Sequence, residues 1–457
     1  MLLKSTFTAS LLFIGDIIAF AISLWLMLLV RYAEVPFGTR LTEHFVTFAP
    51  LFLVWLLVFY MAGLYGKHIL LFKSSVLRAI LQTQFLNIVL AAVYFFVVPN
   101  IGIAPKTNLI LYLVISLGLI FSWRFLLFPL LSRPSTRERA VIIGKGPEVE
   151  ELVKEVNSND RYHLAFVHTI DPWDFARNTD ASMKQITEGG ITSIVVDTTH
   201  SDLQKALPAV YELSYSGNER HVLDFYKVYE EVFDRVPLSL LHNDWFVTNV
   251  SSVNTLFYAV SKRALDIVGG ITMGIITLAL TPFIACAMWC EGPGPIFIAQ
   301  DRIGQFGKRV KSYKFRSMRF NKKASSEWTI EEKTQNPITK VGSFLRRTSL
   351  DEFPQFVNIL TGEISLIGPR NDVEGLGKRL GEAIPYYHMR YVVTPGITGW
   401  AQINQQYEQG NISPQSIEET KTRLAYDFYY IKNRSVPLDI EIALKTVKRM
   451  LFRVSSW

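Results

Sequence analysis

Uninterrupted apolar runs dominate the N-terminal part of this chain. They fall at roughly 11–30, 45–65, 79–98 and 108–131, and each is long enough to cross a ~30 Å hydrocarbon core as a helix rising ~1.5 Å per residue. The second and third carry no charge. The first holds Asp16 and the fourth Arg124, and ionisable side chains inside a span turn toward neighbouring helices or the interface rather than lipid. One basic residue precedes the first run and no convincing small-residue cleavage site follows it, so it reads as a retained helix and not a signal peptide. The pattern predicts a four-helix transmembrane bundle over 1–132.

A fifth run, from Ile267 to Cys290, has 24 consecutive uncharged residues and contains Pro282. Proline removes a backbone donor and clashes with the preceding turn, while the Thr281 hydroxyl can bond a freed carbonyl. Lys262 and Arg263 precede this run, and Arg302, Lys308, Arg309, Lys311, Lys314 and Arg316 follow it. Basic residues favour the cytoplasm. The expectation is therefore a re-entrant helix–break–helix over about 264–290, broken at Thr281 and Pro282, that dips into one leaflet and returns. The same rule orients the bundle. Lys67, Lys73 and Arg78 follow its second helix without an acid, and Arg133, Arg137 and Arg139 follow its fourth against Glu138 alone. The opposite loops mix Arg31, Arg40 and Lys106 with Glu34 and Glu43. Both ends of the bundle are expected on the cytoplasmic side.

Between these membrane segments the period changes. Residues 139–146 read as a short buried strand running into a glycine turn, 147–157 and 182–190 have helical spacing, and 191–196 is a second strand. Strands alternating with helices predict a Rossmann-like α/β module over 137–245 with a parallel sheet. As a dinucleotide site it is incomplete: Gly144 and Gly146 are present, but Val149 stands where the third glycine of the fingerprint falls. A structural or regulatory module is the reading, with nucleotide sensing as the alternative.

Composition agrees with a membrane protein, since mean hydropathy is +0.21. The formal charge of +7 is unevenly placed: residues 291–457 hold 25 Lys and Arg against 17 Asp and Glu. A basic region beside a membrane segment suits anionic lipid head groups or a phosphorylated substrate, and no nucleic-acid motif accompanies it. Cys286 and Cys290, the two cysteines, lie one helical turn apart in the fifth run, which favours small apolar packing over a disulfide or a metal.

The basic region contains Ser349-Leu350-Asp351-Glu352-Phe353-Pro354-Gln355, two adjacent carboxylates just after Arg346 and Arg347. Neighbouring acids project differently, so one can attack while the other holds a divalent cation. An isolated Asp-Glu before Phe-Pro is more simply the acidic first turn of a helix. The surrounding blocks weigh against that reading: Tyr313-Lys314-Phe315-Arg316-Ser317-Met318, then Gly362-Glu363-Ile364-Ser365-Leu366-Ile367-Gly368-Pro369-Arg370, then Thr394-Pro395-Gly396-Ile397-Thr398-Gly399-Trp400-Ala401-Gln402, then Tyr426-Asp427-Phe428-Tyr429-Tyr430-Ile431-Lys432-Asn433. In this order the blocks resemble the bacterial sugar transferases that move hexose 1-phosphate onto polyprenyl phosphate. The likeness covers about 262–450, and the membrane segments and middle module are similar to the long form of that family.

The resemblance implies an α/β catalytic domain over 255–457 anchored by the re-entrant helix, with Thr281-Pro282 where members commonly carry Ser-Pro. It implies that Asp351 attacks the phosphorus bonded to the sugar of a UDP-sugar, expelling UMP, and that polyprenyl phosphate then takes the phosphosugar from the carboxylate. Glu352, with Asp351, would hold Mg²⁺, and Arg346 and Arg370 match phosphate-binding arginines. Lys314 and Arg316 alternate on a predicted strand, which fits substrate binding or a solvated edge. Arg347 fits a contact with lipid head groups. Asp427 fits either a substrate role or a structural hydrogen bond, and the aromatic residues at 426–430 and Trp400 fit packing better than sugar stacking. Asn371 replaces a second proline usual in the family, which loosens the turn carrying Arg370. The implied setting is the cytoplasmic face of a bacterial inner membrane, with a homodimer as the weaker expectation. Two readings from other classes remain beside it. A nucleotide-sugar oxidoreductase or epimerase would need a complete glycine fingerprint and a Tyr-x-x-x-Lys in the middle module, and neither is present. A non-enzymatic scaffold or chain-length regulator would leave Asp351, Glu352 and the arginines dispensable. The donor sugar is not legible.

Overall fold

The computed structural model describes residues 5–65, 73–98, 105–128, 137–159, 162–215, 220–250, 256–319, 337–405, 414 and 416–454. Lys67 and Arg133, used above to orient the bundle, lie outside the described residues. The chain divides into two compact units, 1–231 and 232–457.

The first unit opens with four long apolar helices, α1 (Ser5–Tyr32), α2 (Thr39–Met61), α3 (Lys73–Val97) and α4 (Pro105–Ser122), the last continuing through a π-helical turn, Trp123–Leu127. All four are long and apolar enough to cross a membrane. They share one aromatic-rich core built on Phe20, Phe48, Trp55, Phe59 and Tyr112. The polar ends of these rings are satisfied: Trp55 Nε1 donates to the Asn87 carbonyl at 2.9 Å and the Tyr112 hydroxyl to the Phe20 carbonyl at 3.1 Å. Asp16 and Arg124 pair with each other, at 2.5 Å through Nη2, and the Tyr65 hydroxyl donates to Asp16 at 2.8 Å. Charges turned toward each other inside the helix cluster avoid lipid.

The unit continues with β1 (Glu138–Ile143), α5 (Pro147–Ser158), β2 (Leu164–Ile170), α6 (Pro172–Arg177), α7 (Thr179–Glu188), β3 (Ser193–Val196), α8 (Leu207–Tyr215), β4 (His221–Asp224) and α9 (Phe225–Phe233), whose last two residues fall in the second unit. The strands form a parallel sheet in the order β2-β1-β3-β4. Val141, Ile143, Ile194 and Val196 fill its core with Phe175 and Val210. The expected end of this module, residue 245, is corrected by the packing. Val236, Leu241 and Phe246 belong to the core of the second unit, and Val236 donates its amide to the Ala425 carbonyl at 3.2 Å.

That second unit contains α10 (Asn243–Val250), α11 (Leu256–Glu291), the antiparallel pair β5 (Phe297–Ile303) and β6 (Arg309–Phe315), α12 (Lys340–Thr348), a 3₁₀ turn (Leu350–Gln355), α13 (Phe356–Thr361), β7 (Ser365–Ile367), α14 (Glu374–Ala383), β8 (Gly396–Thr398), α15 (Trp400–Asn404), α16 (Ile417–Asn433) and α17 (Val436–Val454). Two of the sequence blocks meet here, because β7 and β8 pair in parallel. A Cβ at Gly396 would come within 2.1 Å of the Gly368 nitrogen, so only glycine lets the two strands approach this closely.

The fifth apolar run departs from expectation. Leu256–Glu291 is one α-helix of 36 residues with Pro282 inside it, not a helix–break–helix. A single proline leaves one carbonyl without its donor, and the rest of the ladder carries the helix on. The Thr281 hydroxyl bonds the Thr277 carbonyl at 2.6 Å, one position before the carbonyl of Leu278 that Pro282 frees. Its buried residues are Asp266, Gly270, Met273, Gly274 and Thr277 before Pro282 and Ala285 and Met288 after it, spaced on one face within each part. The helix packs on α13, β7, α12 and the 3₁₀ turn. At the start of the helix Lys262 donates to the Ile367 carbonyl at 2.8 Å and Arg263 to the Ile359 carbonyl at 2.7 Å. At its end Glu291 accepts from the Val341 amide at 2.9 Å. Phe257, Val260, Val268, Ile271, Ile275, Leu278, Phe283 and Trp289 are exposed. Cys286 and Cys290, expected to pack, are free and exposed.

Candidate active site

Helix α12 ends at Ser349, which is left-handed (φ 58°, ψ 16°). A non-glycine residue there is strained and is held only by its surroundings. The reversal starts the 3₁₀ turn with Asp351 and Glu352 in its first positions. The bland reading of the acidic pair is thus met in form, but its surroundings are cationic. Lys314, at the end of β6, reaches Glu352 Oε1 at 2.6 Å, and Arg370, just after β7, reaches the same oxygen at 2.5 Å. Glu352 Oε2 keeps one longer contact, to Arg370 Nη1 at 3.3 Å. Burial pushes the Glu352 carboxyl up, but Arg370 and Lys314 outweigh it and hold the group well below the usual carboxylate range.

Asp351 is the opposite case. Among the described residues no hydrogen bond or ion pair reaches its half-buried carboxylate. Burial and the charge of Glu352 push it up to about 6, against the pull of Lys314, Arg370 and Arg346. Adjacent acids in one turn thus have different states: Glu352 is permanently ionised and fixed, while Asp351 is unpartnered and ionises near neutrality. Arg346 stands at the end of α12, its Nε held by Ser317 Oγ at 2.8 Å.

Arg316 stands apart. It follows β6 rather than sharing its face with Lys314, and its guanidinium bonds the carbonyls of Pro293 at 2.6 Å and Gly292 at 3.2 Å. Arg347 Nη2 lies 3.2 Å from Ser343 Oγ on an exposed face of α12. Asp427 is buried and takes Arg390 Nη2 at 2.7 Å, so its partner is a second cluster behind the site. Trp400 and Phe428 are core residues, with Trp400 stacked on Tyr429 at 5.7 Å.

The structure adds residues that the motifs did not single out. Arg302, on β5, donates to the Asn371 carbonyl at 2.9 Å, and burial, reinforced by Arg370, pulls its guanidinium down to about 10. Arg390 and Arg423 donate to the Arg370 carbonyl at 2.9 and 2.7 Å. The turn expected to loosen at Asn371 is therefore pinned at successive carbonyls, and a second proline is not needed to fix it. The signal available in sequence was an arginine on each side of the glycine-proline blocks, without any indication of its partner.

No group of three or more His, Cys, Asp or Glu side chains converges among the described residues. The Asp351 oxygens and Glu352 Oε2 nevertheless fit Mg²⁺, which binds through one or two carboxylates and takes its remaining ligands from water and substrate phosphates.

Comparison with known proteins bears on this geometry. Residues 257–453 match the family model described as bacterial sugar transferase. The exopolysaccharide production protein PSS of Rhizobium leguminosarum bv. phaseoli is 36% identical over 200 residues, 42% of this chain and 96% of that protein. This chain belongs to the bacterial sugar transferase family. Another member, the UDP-glucose:undecaprenyl-phosphate glucose-1-phosphate transferase of Escherichia coli K12, is 40% identical over 222 residues, 48% of this chain and 44% of its own length. The undecaprenyl-phosphate glucose phosphotransferase of Komagataeibacter xylinus is 28% identical over 346 residues, 71% of this chain and 61% of its own. The chain thus spans about half the length of the longer curated relatives it matches. All the blocks quoted above lie inside the family region.

Proposed function

We propose that this chain transfers a hexose 1-phosphate from a UDP-sugar to undecaprenyl or another polyprenyl phosphate at the cytoplasmic face of the inner membrane, releasing UMP. The product is a polyprenyl-diphosphate-sugar, the lipid-linked start of an exopolysaccharide, capsule or O-antigen. The observation that carries this reading is the contrast within one turn between clamped Glu352 and unpartnered Asp351. An Asp351 oxygen attacks the phosphorus bonded to the sugar; the bond from that phosphorus to the bridging oxygen breaks, and UMP leaves. Lys314, Arg346 and Arg370 face the charge that gathers on the phosphoryl oxygens. A polyprenyl phosphate oxygen then attacks the same phosphorus and releases the Asp351 carboxylate. Two displacements let a soluble donor and a lipid acceptor use one small site in turn. Mg²⁺ held by Asp351 and Glu352 would offset repulsion between carboxylate and phosphate.

Helix α11 supports one membrane pose. From Lys262 to Glu291 the helix is roughly 44 Å long at ~1.5 Å per residue, more than a bilayer core, yet both ends are tied to the same compact unit. A crossing helix would put these anchors on opposite sides of the membrane. The inference is a shallowly embedded helix whose uncovered apolar face meets lipid and whose buried residues carry the catalytic domain. The N-terminal helices then form a separate transmembrane bundle, and the parallel-sheet module is a Rossmann-like domain of regulatory or assembly role.

The decisive assay incubates the full chain in lipid with each of several UDP-sugars and undecaprenyl phosphate, following UMP release and a trapped phosphosugar adduct. Ping-pong kinetics with an adduct on Asp351 are expected. Intersecting kinetics without an adduct would replace the covalent route by a single displacement. Cysteine labelling near residues 262 and 302 is expected from the same side of the membrane; labelling from opposite sides defeats the proposed pose.

A further inference from the structure

Behind the active site lies a closed cluster of four charges and two phenols. Arg390 uses its whole guanidinium: Nε and Nη2 bond Asp427 at 3.0 and 2.7 Å, and Nη1 bonds Asp372 and, at 3.0 Å, the Tyr387 hydroxyl. Tyr387 and Tyr391 donate to Asp372 at 2.8 and 2.9 Å, and Arg423 reaches Asp372 at 3.4 Å. The two acids are 3% and 2% exposed and Arg390 is 1% exposed. Such a network could serve stability alone, but buried ion pairs contribute little net stability relative to apolar packing. What distinguishes this cluster is its outlet: Arg390 and Arg423 both donate to the main-chain oxygen of Arg370, the residue whose side chain holds Glu352.

We propose that Arg390 and Arg423 are positioning residues for transfer, setting the backbone of Arg370 so that its guanidinium meets both Glu352 and the phosphoryl group. This rests on the transferase reading. Asp372 and Asp427 fix the two arginines, and neither acid touches substrate. A planar guanidinium can hold an acid and a carbonyl in one geometry, whereas a lysine ammonium cannot reproduce both directions.

The test uses Arg423→Lys in the full-length chain in lipid, because Arg423 is less enclosed than Arg390. The turnover number is expected to fall about tenfold through misplacement of Arg370, with KM for the UDP-sugar changing about twofold or less. In Arg370→Lys, adding Arg423→Lys is expected to change single-turnover UMP release by only about twofold, since the group it positions is gone. Should Arg423→Lys fail to fold, Tyr391→Phe, which removes one donor to Asp372, is expected to lower the turnover number in smaller measure at unchanged KM. A lowered melting temperature with an unchanged turnover number would make the cluster structural and overturn the inference. Wild-type chain that releases no UMP from any UDP-sugar would overturn the transferase reading and this inference with it.

Discussion

Two ionic clusters meet at Arg370 and are completed to different degrees. Behind it, Asp372 and Asp427 are matched by Arg390 and Arg423, and the phenols of Tyr387 and Tyr391 occupy further acceptor sites. In front of it, Glu352 is matched by Lys314 and Arg370, while Asp351 beside it is left without a partner among the described residues. The closed cluster meets its acids with arginines and phenols on several sides. The open one leaves one carboxylate, that of Asp351, beside fixed positive charge. Incomplete satisfaction at one residue, more than the number of charges, separates chemistry from architecture here.

The sharpest way to break this contrast is Asp351→Asn. Transfer is expected to fall by at least about a thousandfold, as for loss of a nucleophile that acts as a unit with its surroundings. Stability is expected to move the other way. Burial and Glu352 raise the folded-state pKa of Asp351 above its ordinary value, so ionising it opposes folding as pH rises from about 4 through 6. At pH 7.5 the amide escapes that penalty, worth at most about 3 kcal/mol, and should melt higher than wild type. A lower melting point in thermal unfolding would mean that Asp351 is satisfied by a contact of its own. Burial pushes the Asp427 carboxyl up as well, against the pull of Arg390 and Arg423, but Asp427→Asn should melt lower, because the permanently charged Arg390 is then left buried with less charge to meet it.

Next in size is the boundary of the catalytic unit. A fragment 232–457 retains Val236, Leu241 and Phe246 in its core, as well as the Asp234 carbonyl that accepts from Trp400 Nε1 at 2.9 Å. A fragment 250–457 lacks them all. The longer piece is expected to fold in detergent and keep part of the transfer activity, and the shorter to aggregate. Equal yield and activity from the two, read by size-exclusion chromatography and UMP release, would show that 232–249 adds nothing to the catalytic core.

How much of this was open to sequence reading follows from the range of the forces involved. Apolar runs such as 45–65 and 79–98 announce themselves because lipid acts on every residue of a span. The acidic pair and the arginines at 346 and 370 stood out because neighbours in sequence supplied their context. Strands β2 and β4 were not expected, since Leu164–Ile170 places His168 and Thr169 on an exposed edge and breaks the simple apolar pattern. Pro282 does not interrupt α11, because a propensity to break a helix yields when packing holds the helix on both sides of the proline. Arg316 was paired with Lys314 by strand alternation, but β6 ends at Phe315. Arg302, Arg390 and Arg423 could not be singled out at all: each acts on a carbonyl 20 to 69 residues away in the chain, and a backbone acceptor leaves no mark in sequence.

The pH profile sharpens the comparison from the side of the open cluster. With Asp351 titrating near 6, kcat/KM is expected to fall about tenfold per pH unit below that value, since the protonated acid cannot attack. Glu352 stays ionised throughout this range and adds no second limb. Glu352→Gln removes a charge that raises Asp351, so the limb should move to lower pH even as activity drops through weaker metal and arginine placement. A limb that stays in place in this variant would show that burial alone sets Asp351.

The smallest expected effect lies at the joint between the two clusters. Asn371 is buried and its side-chain Nδ2 has no partner among the described residues, a desolvated donor that costs about 1–3 kcal/mol when left unmet. Arg370 before it bridges Gly396 in parallel, an extended conformation that also suits a residue preceding proline. The Asn371 carbonyl, which accepts from Arg302, would survive substitution by proline. Asn371→Pro should therefore raise the melting temperature by a few degrees, through the lost unsatisfied amide and a less free unfolded chain, by about 0.5–1 kcal/mol. Turnover should stay within about twofold, because Arg370 is held by Arg390 and Arg423 and not by the stiffness of the next residue. If turnover instead falls tenfold with stability raised, the turn must flex for transfer, and the closed cluster would hold Arg370 between two positions rather than in one.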